Sequence, residues 1–364
     1  MPSKQCSWWN FVDFLIHARG ERGYAGIVLS DQPNPRTLPS RQARGGLQVL
    51  QLENALLQVT ILLEAGGRIW QIRYKPRRAD LLWNRPGITA ARHALYTDYD
   101  DVWAGGWDEL FPNDEAGRLG DLDLPDHGEL WSAEWQAHPA GDGHLHGVRL
   151  VLDTPLTRFR TEKTILLDPE AACLRVRYRL TNHSAAAFPF LFKLHPAFAV
   201  TGHHRLDMPA MEVVLEPDFM GTLASAPARF PWPYAPLASG AMDLRQIPGP
   251  ESGALHFFYG TGLRQGWCAL TDQASKLATA LRFDPEVFPC CWLFATHGGW
   301  NGLNVAVLEP ATGYPFRLPE VVASGRAKWL APGETLETEV LFAVQEGLTS
   351  VGGVGPDGRI LPAE

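Results

Sequence analysis

Between Leu47 and Val344 the chain consists of short apolar runs separated by turn residues, and almost none has helical spacing. "GRIWQIRY", "RFRTEKTILL", "CLRVRYRLTN", "FPFLFKL", "KLATALRF", "CCWLFAT", "NVAVLEP" and "LETEVLFAV" either alternate with period two or are rich in β-branched and aromatic residues, as strands are. Gly66-Gly67, Gly105-Gly106, Asp168-Pro169, Gly298-Gly299 and Pro332-Gly333 supply the turns. No long helical pattern alternates with the strands, which argues against parallel βαβ units. The pattern predicts an all-β fold, one large antiparallel sandwich over residues 46–346. Residues 1–45 read as an N-terminal extension. In it Ser7 caps a short helix with an apolar stripe of Trp8, Phe11, Phe14 and Leu15, and the Pro- and Gly-rich "DQPNPRTLPSRQARGG" follows as a linker or strap. A second short helix is predicted near His93 to Trp103, a strand over "GELWSAEW", and a loose tail over residues 347–364.

A chain of 364 residues buries enough surface to fold without a metal or disulfide staple. Its net charge of -8 argues against a nucleic-acid surface, which needs clustered positive charge. Five cysteines with no C-x-x-C spacing, each in an apolar stretch, point to reduced core thiols and a cytoplasmic setting. No run is long enough to span a membrane. Asp13 interrupts the apolar N-terminal patch and no cleavage site follows, which disfavours a signal peptide. His138, His144 and His146, like His203 and His204, lie in turn-rich segments without acidic or cysteine partners at ligand spacing, so no catalytic metal is expected.

Four features break the apolar texture. His127 stands in "PDHGELW". Lys193 and His195 interrupt "FPFLFKLHPAF", on the same face of a strand. Glu309 closes the buried run "NVAVLEP", and Asp108, Glu109, Asn113, Asp114 and Glu115 crowd "WDELFPNDEAG". A carboxylate at the end of a buried strand must be paired, so Glu309 is either an arginine's partner or a base on a pocket floor. His195 is either a core histidine bonded to a carbonyl or an acid. Lys193 is either a snorkelling side chain or a contact to a hydroxyl or anion. The wide separations exclude a local metal motif but allow three strands to bring two imidazoles and a carboxylate together for acid–base chemistry. Trp292 is a candidate to stack on a sugar ring, with Trp107 and Trp300 as weaker ones. Arg68 follows the Gly66-Gly67 turn into the same end of the sandwich.

An ordered set of segments carries a resemblance. "NALLQVTILLEAGGRIWQIRY", "LFPND", "PDHGELW", "TNHS…FLFKLHPAF", "LEPATGYP" and "LAPGETLETEVLF" together resemble the galactose mutarotase-like group, the aldose 1-epimerases and their relatives, from about Leu47 to Val344. The resemblance implies a β-supersandwich and cofactor-free interconversion of the α and β anomers of a small-molecule aldose. It implies Glu309 as the base at the C1 hydroxyl, His195 as the acid at the ring oxygen and His127 as a stabiliser of that oxygen. Arg68 is implied as a sugar contact, with Asp108 or Asp243 as the hydroxyl clamp and no metal. His195 is followed by Pro196-Ala197-Phe198 where typical members have Tyr and Asn, and Gly128 by Glu129-Leu130-Trp131, so the chain is divergent. The alternatives are a carbohydrate-binding protein without catalysis and another carbohydrate enzyme on a related sandwich. A hydrolase would need a second working carboxylate.

Overall fold

The computed structural model describes residues 40–44 and 46–363. Two antiparallel sheets dominate it. The larger has twelve strands in the order Ser40–Arg44, Leu47–Glu53, Leu57–Leu62, Arg68–Tyr74, Trp107–Leu110, Lys193–Phe198, Asn304–Ala311, Cys290–His297, Ala254–Thr261, Glu212–Leu215 and Arg229–Pro231, with Ala79–Asp80 pairing beside Arg68–Tyr74. The smaller has eight: His204–Asp207, Trp267–Asp272, Leu277–Arg282, Thr335–Glu346, Cys173–Asn182, Phe159–Leu167, His146–Asp153 and Gln136–Gly141. Their inner faces share one core, to which Ile61, Ile72, Leu194 and Leu308 contribute from the larger sheet and Val148, Ile165, Val176 and Phe342 from the smaller. Burial of each such side chain stabilises the fold by about 1.5–3 kcal/mol.

The central strands of the larger sheet are buried on both faces, and period two sorts their residues. On Lys193–Phe198, Leu194 and Phe198 enter the shared core, while Ala197 packs outward with Tyr99, Trp103 and Trp131. On Asn304–Ala311, Ala306 and Leu308 point inward and Val305 and Val307 outward. Lys193, His195 and Glu309 share the outward phase of these strands. The register pairs His195 with Asp108 and Trp292 with Glu309, so those side chains share the same outer face. Glu109, in the inward phase, enters the core, where Lys163 from the other sheet lies 2.7 Å away and the Tyr178 hydroxyl donates to it at 2.6 Å.

Several expectations need correction. "GELWSAEW" forms turns rather than a strand, because His127 and Gly128 both take positive φ and turn the chain. Glu129 then accepts from the Leu156 and Thr157 backbone N–H groups instead of facing solvent. "FPFLFKLHPAF" is divided: Phe188–Phe190 pairs with Lys328–Leu330, and only Lys193–Phe198 joins the large sheet. The bend between them is held by the Leu191 and Phe192 N–H groups, which donate to the Pro112 carbonyl and the Thr312 hydroxyl. The helix expected near residues 93–103 is confined to Tyr99–Val102, with Asp98 capping the Asp100 N–H. Residues 40–44, read as linker, pair as an edge strand with Leu47–Glu53. The tail is not loose: Leu348, Val351 and Ile360 are buried against Cys173, Trp267 and Leu341 on the outer face of the smaller sheet. The helix proposed around Ser7, and Cys6, lie outside the described residues. Cys173, Cys268, Cys290 and Cys291 are buried free thiols. No helix among the described residues is long and apolar enough to cross a membrane.

Candidate active site

The outer face of the larger sheet holds a cavity of about 180 Å³. Its floor is Lys193, His195 and Glu309. Tyr99, Asp100 and Trp103 from the short helix form one wall, and Asp114, Glu115, Asp126 and His127 from the loops around the two turns form another. Phe219, Phe257, Phe294, Trp300 and Phe316 make the apolar side. A second cavity of about 270 Å³ on the same sheet, lined by Gln51, Gln58, Gln71 and Asn84 among others, has the Arg73–Asp80 pair as its only charges among the described residues. Titratable groups with displaced pKa values gather in the first, which makes it the candidate site.

His127 reaches the cavity by backbone geometry. Its φ of 57° is in the left-handed region, and the next residue must be glycine because a Cβ at Gly128 would collide with the Phe111 carbonyl. The His127 N–H donates to the Asp114 carbonyl at 2.5 Å and the Glu129 N–H to the Phe111 carbonyl at 2.6 Å, which pins the turn to "FPND". The imidazole stacks on Tyr99 with centroids 4.0 Å apart. Its Nδ1 is 2.8 Å from Asp126 Oδ1 and its Nε2 3.3 Å from Asp114 Oδ1. Burial opposes a charge on this ring, but Asp114 and Asp126 outweigh it and raise the pKa above the ordinary histidine value.

Lys193 is the centre of a chain of alternating charge. Its Nζ lies 2.5 Å from Glu309 Oε2 and 3.0 Å from Asp114 Oδ2, over the Trp292 ring at 4.2 Å. Glu309, Lys193, Asp114, His127 and Asp126 thus alternate acidic and basic groups along the cavity. Burial lowers the pKa of Lys193, but Asp114 and Glu309 raise it further. Glu309 is pushed up to about 7, by burial first and by Asp114, against the pull of Lys193. Beyond that ion pair, Oε2 has no regular hydrogen bond among the described residues. The carboxylate is therefore paired, by a lysine and not by an arginine.

His195 has Asp108 as a cross-strand neighbour, but among the described residues it forms no ion pair with a carboxylate. Its Nδ1 is 3.2 Å from the Tyr99 hydroxyl, which is 2.8 Å from Asp108 Oδ2, and Asp108 Oδ1 is 2.5 Å from Arg68 Nε. Burial, then the positive charges of Lys193 and His127, hold His195 well below the ordinary histidine value. The expectation of a protonated His195 opposite an ionised Glu309 is thus at odds with the charges around the ring.

The other expected contacts are placed differently. Arg68 and Asp108 are 2 % and 1 % exposed and form an ion pair behind the wall, not on it. Trp292 is fully buried beneath Lys193, so it has no face for a sugar. Trp107 is in the core against Phe342, while Trp300 does line the cavity. Asp243 pairs with Arg245 away from the site. Sequence reasoning passed over Tyr99 and Asp126 and named Asp114 without a role. The signal for Asp126 was its place immediately before the "HG" turn, and for Tyr99 the capping aspartate just before it. Among the described residues no group of three or more His, Cys, Asp or Glu side chains is placed to hold a metal ion.

Comparison with solved structures bears on the fold. A candidate aldose 1-epimerase from Escherichia coli K12 superposes with a TM-score of 0.60 at 19% identity, over 83% of this chain and 100% of that one. A galactose mutarotase-like protein from Clostridium acetobutylicum gives 0.61 at 13% identity, over 85% and 98%. One from Lactobacillus casei gives 0.56 at 15% identity, over 82% and 100%. The fold is galactose mutarotase-like. No family model matches the sequence, and no curated protein does. At such identities the mutarotase-like likeness is one of architecture, and the chemistry must be argued from the cavity.

Proposed function

We propose that the protein is an aldose 1-epimerase, a cofactor-free isomerase that interconverts the anomers of a hexose or related aldose. The observation that carries this reading is the meeting of Glu309, His127, His195 and Lys193 in one small cavity on a mutarotase-like fold. Anomerisation needs a proton taken from the C1 hydroxyl while another reaches the ring oxygen. Ionised Glu309 supplies the base. The proton donor that the charges favour is His127, held as imidazolium by Asp114 and Asp126, whereas the family resemblance alone implies His195. The C1–O5 bond opens to the aldehyde, the C1–C2 bond rotates, and closure on the other face returns both protons. A positioned acid or base contributes roughly a hundredfold or more each. Phe294, Trp300 and Phe316 give the apolar C–H face of a sugar a surface to rest on.

The test is NMR exchange between α and β anomeric protons over a panel of aldoses, with and without protein. Accelerated exchange for some sugar supports the reading, and exchange at the uncatalysed rate for all of them refutes it. A second reading is a binding protein that holds the sugar unchanged, favoured by the direct Lys193–Glu309 contact, which quiets the base. Line broadening by a sugar with no gain in exchange would select it.

A further inference from the structure

Among the described residues the second histidine of the site has one side-chain hydrogen-bonding neighbour, and that neighbour belongs to a chain of three buried residues that the acid–base chemistry does not use. Arg68 Nε donates to Asp108 Oδ1 at 2.5 Å, and Arg68 also donates to the Gly105 carbonyl at 3.2 Å. Burial pushes the Asp108 carboxyl up and the guanidinium opposes it; in so close an ion pair its oxygens accept. The Tyr99 hydroxyl has one proton and two neighbours, Asp108 Oδ2 at 2.8 Å and His195 Nδ1 at 3.2 Å. The shorter, charge-assisted bond takes the proton, so Tyr99 donates to Asp108 and its oxygen accepts from His195. The proton of the imidazole is then on Nδ1, and Nε2 is left as a lone pair.

We infer that Tyr99, held by Asp108 and Arg68, is a positioning residue that fixes His195 as the neutral Nδ1–H tautomer with a bare Nε2 toward the cavity. His195 thus meets the ligand as a hydrogen-bond acceptor for a sugar hydroxyl, and the acid of the site is His127. The groups around His195 agree. Lys193 on its own strand, His127 on the loop and Arg68 behind Tyr99 all oppose a charge on the ring, and among the described residues neither Asp108 nor Glu309 on the adjacent strands forms an ion pair with it. The helix supplies only aromatic edges: Tyr99 and Trp103 meet the imidazole at 83° and 68°. Trp103 and Tyr99 also pack on each other, with centroids 6.2 Å apart, which leaves the hydroxyl little freedom to turn elsewhere.

The tautomer can be read without any substrate from 15N spectra of the histidine rings of the full chain at pH 7, with the His195 signals assigned by their loss in His195→Gln. A protonated Nδ1 and an unprotonated Nε2 are expected. An imidazolium, or a ring protonated at Nε2, overturns the inference. Two variants test the relay itself. Asp108→Asn turns an acceptor into a possible donor toward Tyr99, which frees the hydroxyl proton for His195, so the tautomer should move to Nε2–H. Tyr99→Phe should remove the bias, leaving both tautomers populated, and should lower kcat about tenfold with KM little changed. An unchanged tautomer in both variants overturns the role of Tyr99. Only the kinetic arm rests on the mutarotase reading. If no sugar is turned over, that reading fails while the spectra still decide the tautomer.

Discussion

Glu309 is subject to opposing influences, and the balance sets a pH dependence. Burial and Asp114 raise its pKa to about 7, while Lys193 lowers it. A base works when ionised, so anomerisation should rise with pH through about 7. It should fall again at higher pH as His127 loses the proton that Asp114 and Asp126 hold above its ordinary value. Exchange rates measured across roughly pH 5–9 should trace a bell, and a flat profile would contradict the pairing of Glu309 with His127. Glu309→Gln should cost about a hundredfold or more in exchange while leaving the fold intact by circular dichroism. Lys193→Met should move the rising limb to higher pH, by about one unit or more, because it removes the cation that favours the carboxylate. A limb that stayed in place would show that Lys193 does not act on Glu309. Four of these residues were legible in the sequence because they interrupt apolar strands or a turn: His127, Lys193, His195 and Glu309. The partners that set their charge were not. Asp114 stood among other acids, and Tyr99 is an aromatic whose role depends on Asp108, brought to His195 by strand pairing. Arg68 and Asp108 were noticed but assigned to the ligand, because sequence does not show which side of a cavity wall a charge is on.

At the scale of the strand, Lys163 and Glu109 tie the two sheets together through the core. Their side chains are 0% and 1% exposed, the Tyr178 hydroxyl donates to Glu109, and Lys163 also reaches the Gly67 carbonyl at 3.3 Å. Glu109 is next to Asp108, so this latch also braces the strand that presents Asp108 to Tyr99. Removing one partner leaves a buried charge without compensation, and Lys163→Met should cost about 3–5 kcal/mol in urea unfolding. Adding Glu109→Gln neutralises the abandoned carboxylate and should recover most of that loss. Simple additivity of the two single costs would refute the pairing. The phase of "RFRTEKTILL" put Lys163 on the inward side with Phe159 and Ile165, so a buried lysine was readable there, but its partner on the other sheet was not. Where alternation was clean, as in Cys173–Asn182, the strand matches the sequence pattern from end to end. "GELWSAEW" has strand-like composition and fails because two left-handed residues and an inward glutamate outweigh local propensity.

The molecule covers the outer faces of both sheets, by different means. Over the larger sheet, loops and the short helix close down to leave the cavity. Over the smaller, residues 347–363 lie across the strands and bury Leu348, Val351 and Ile360 with Cys173, Trp267 and Leu341. The sandwich itself was visible in period two, since each strand reports its own burial. This cover was not, because its pairings, Gly353–Val354 with Ile360–Leu361, are two residues long and set among glycines and prolines. The same division predicts how stability and function separate. Ile360 is fully buried, so Ile360→Ala should lower stability by about 2–5 kcal/mol. Ending the chain after Glu346 should lower the urea midpoint and expose an apolar patch prone to self-association. Neither change touches a residue of the cavity, so the folded fraction should anomerise sugar at the undisturbed rate. A shortened chain with an unchanged midpoint would show that the tail adds nothing to the fold. A stable one with impaired exchange would show instead that the two faces are coupled through the shared core.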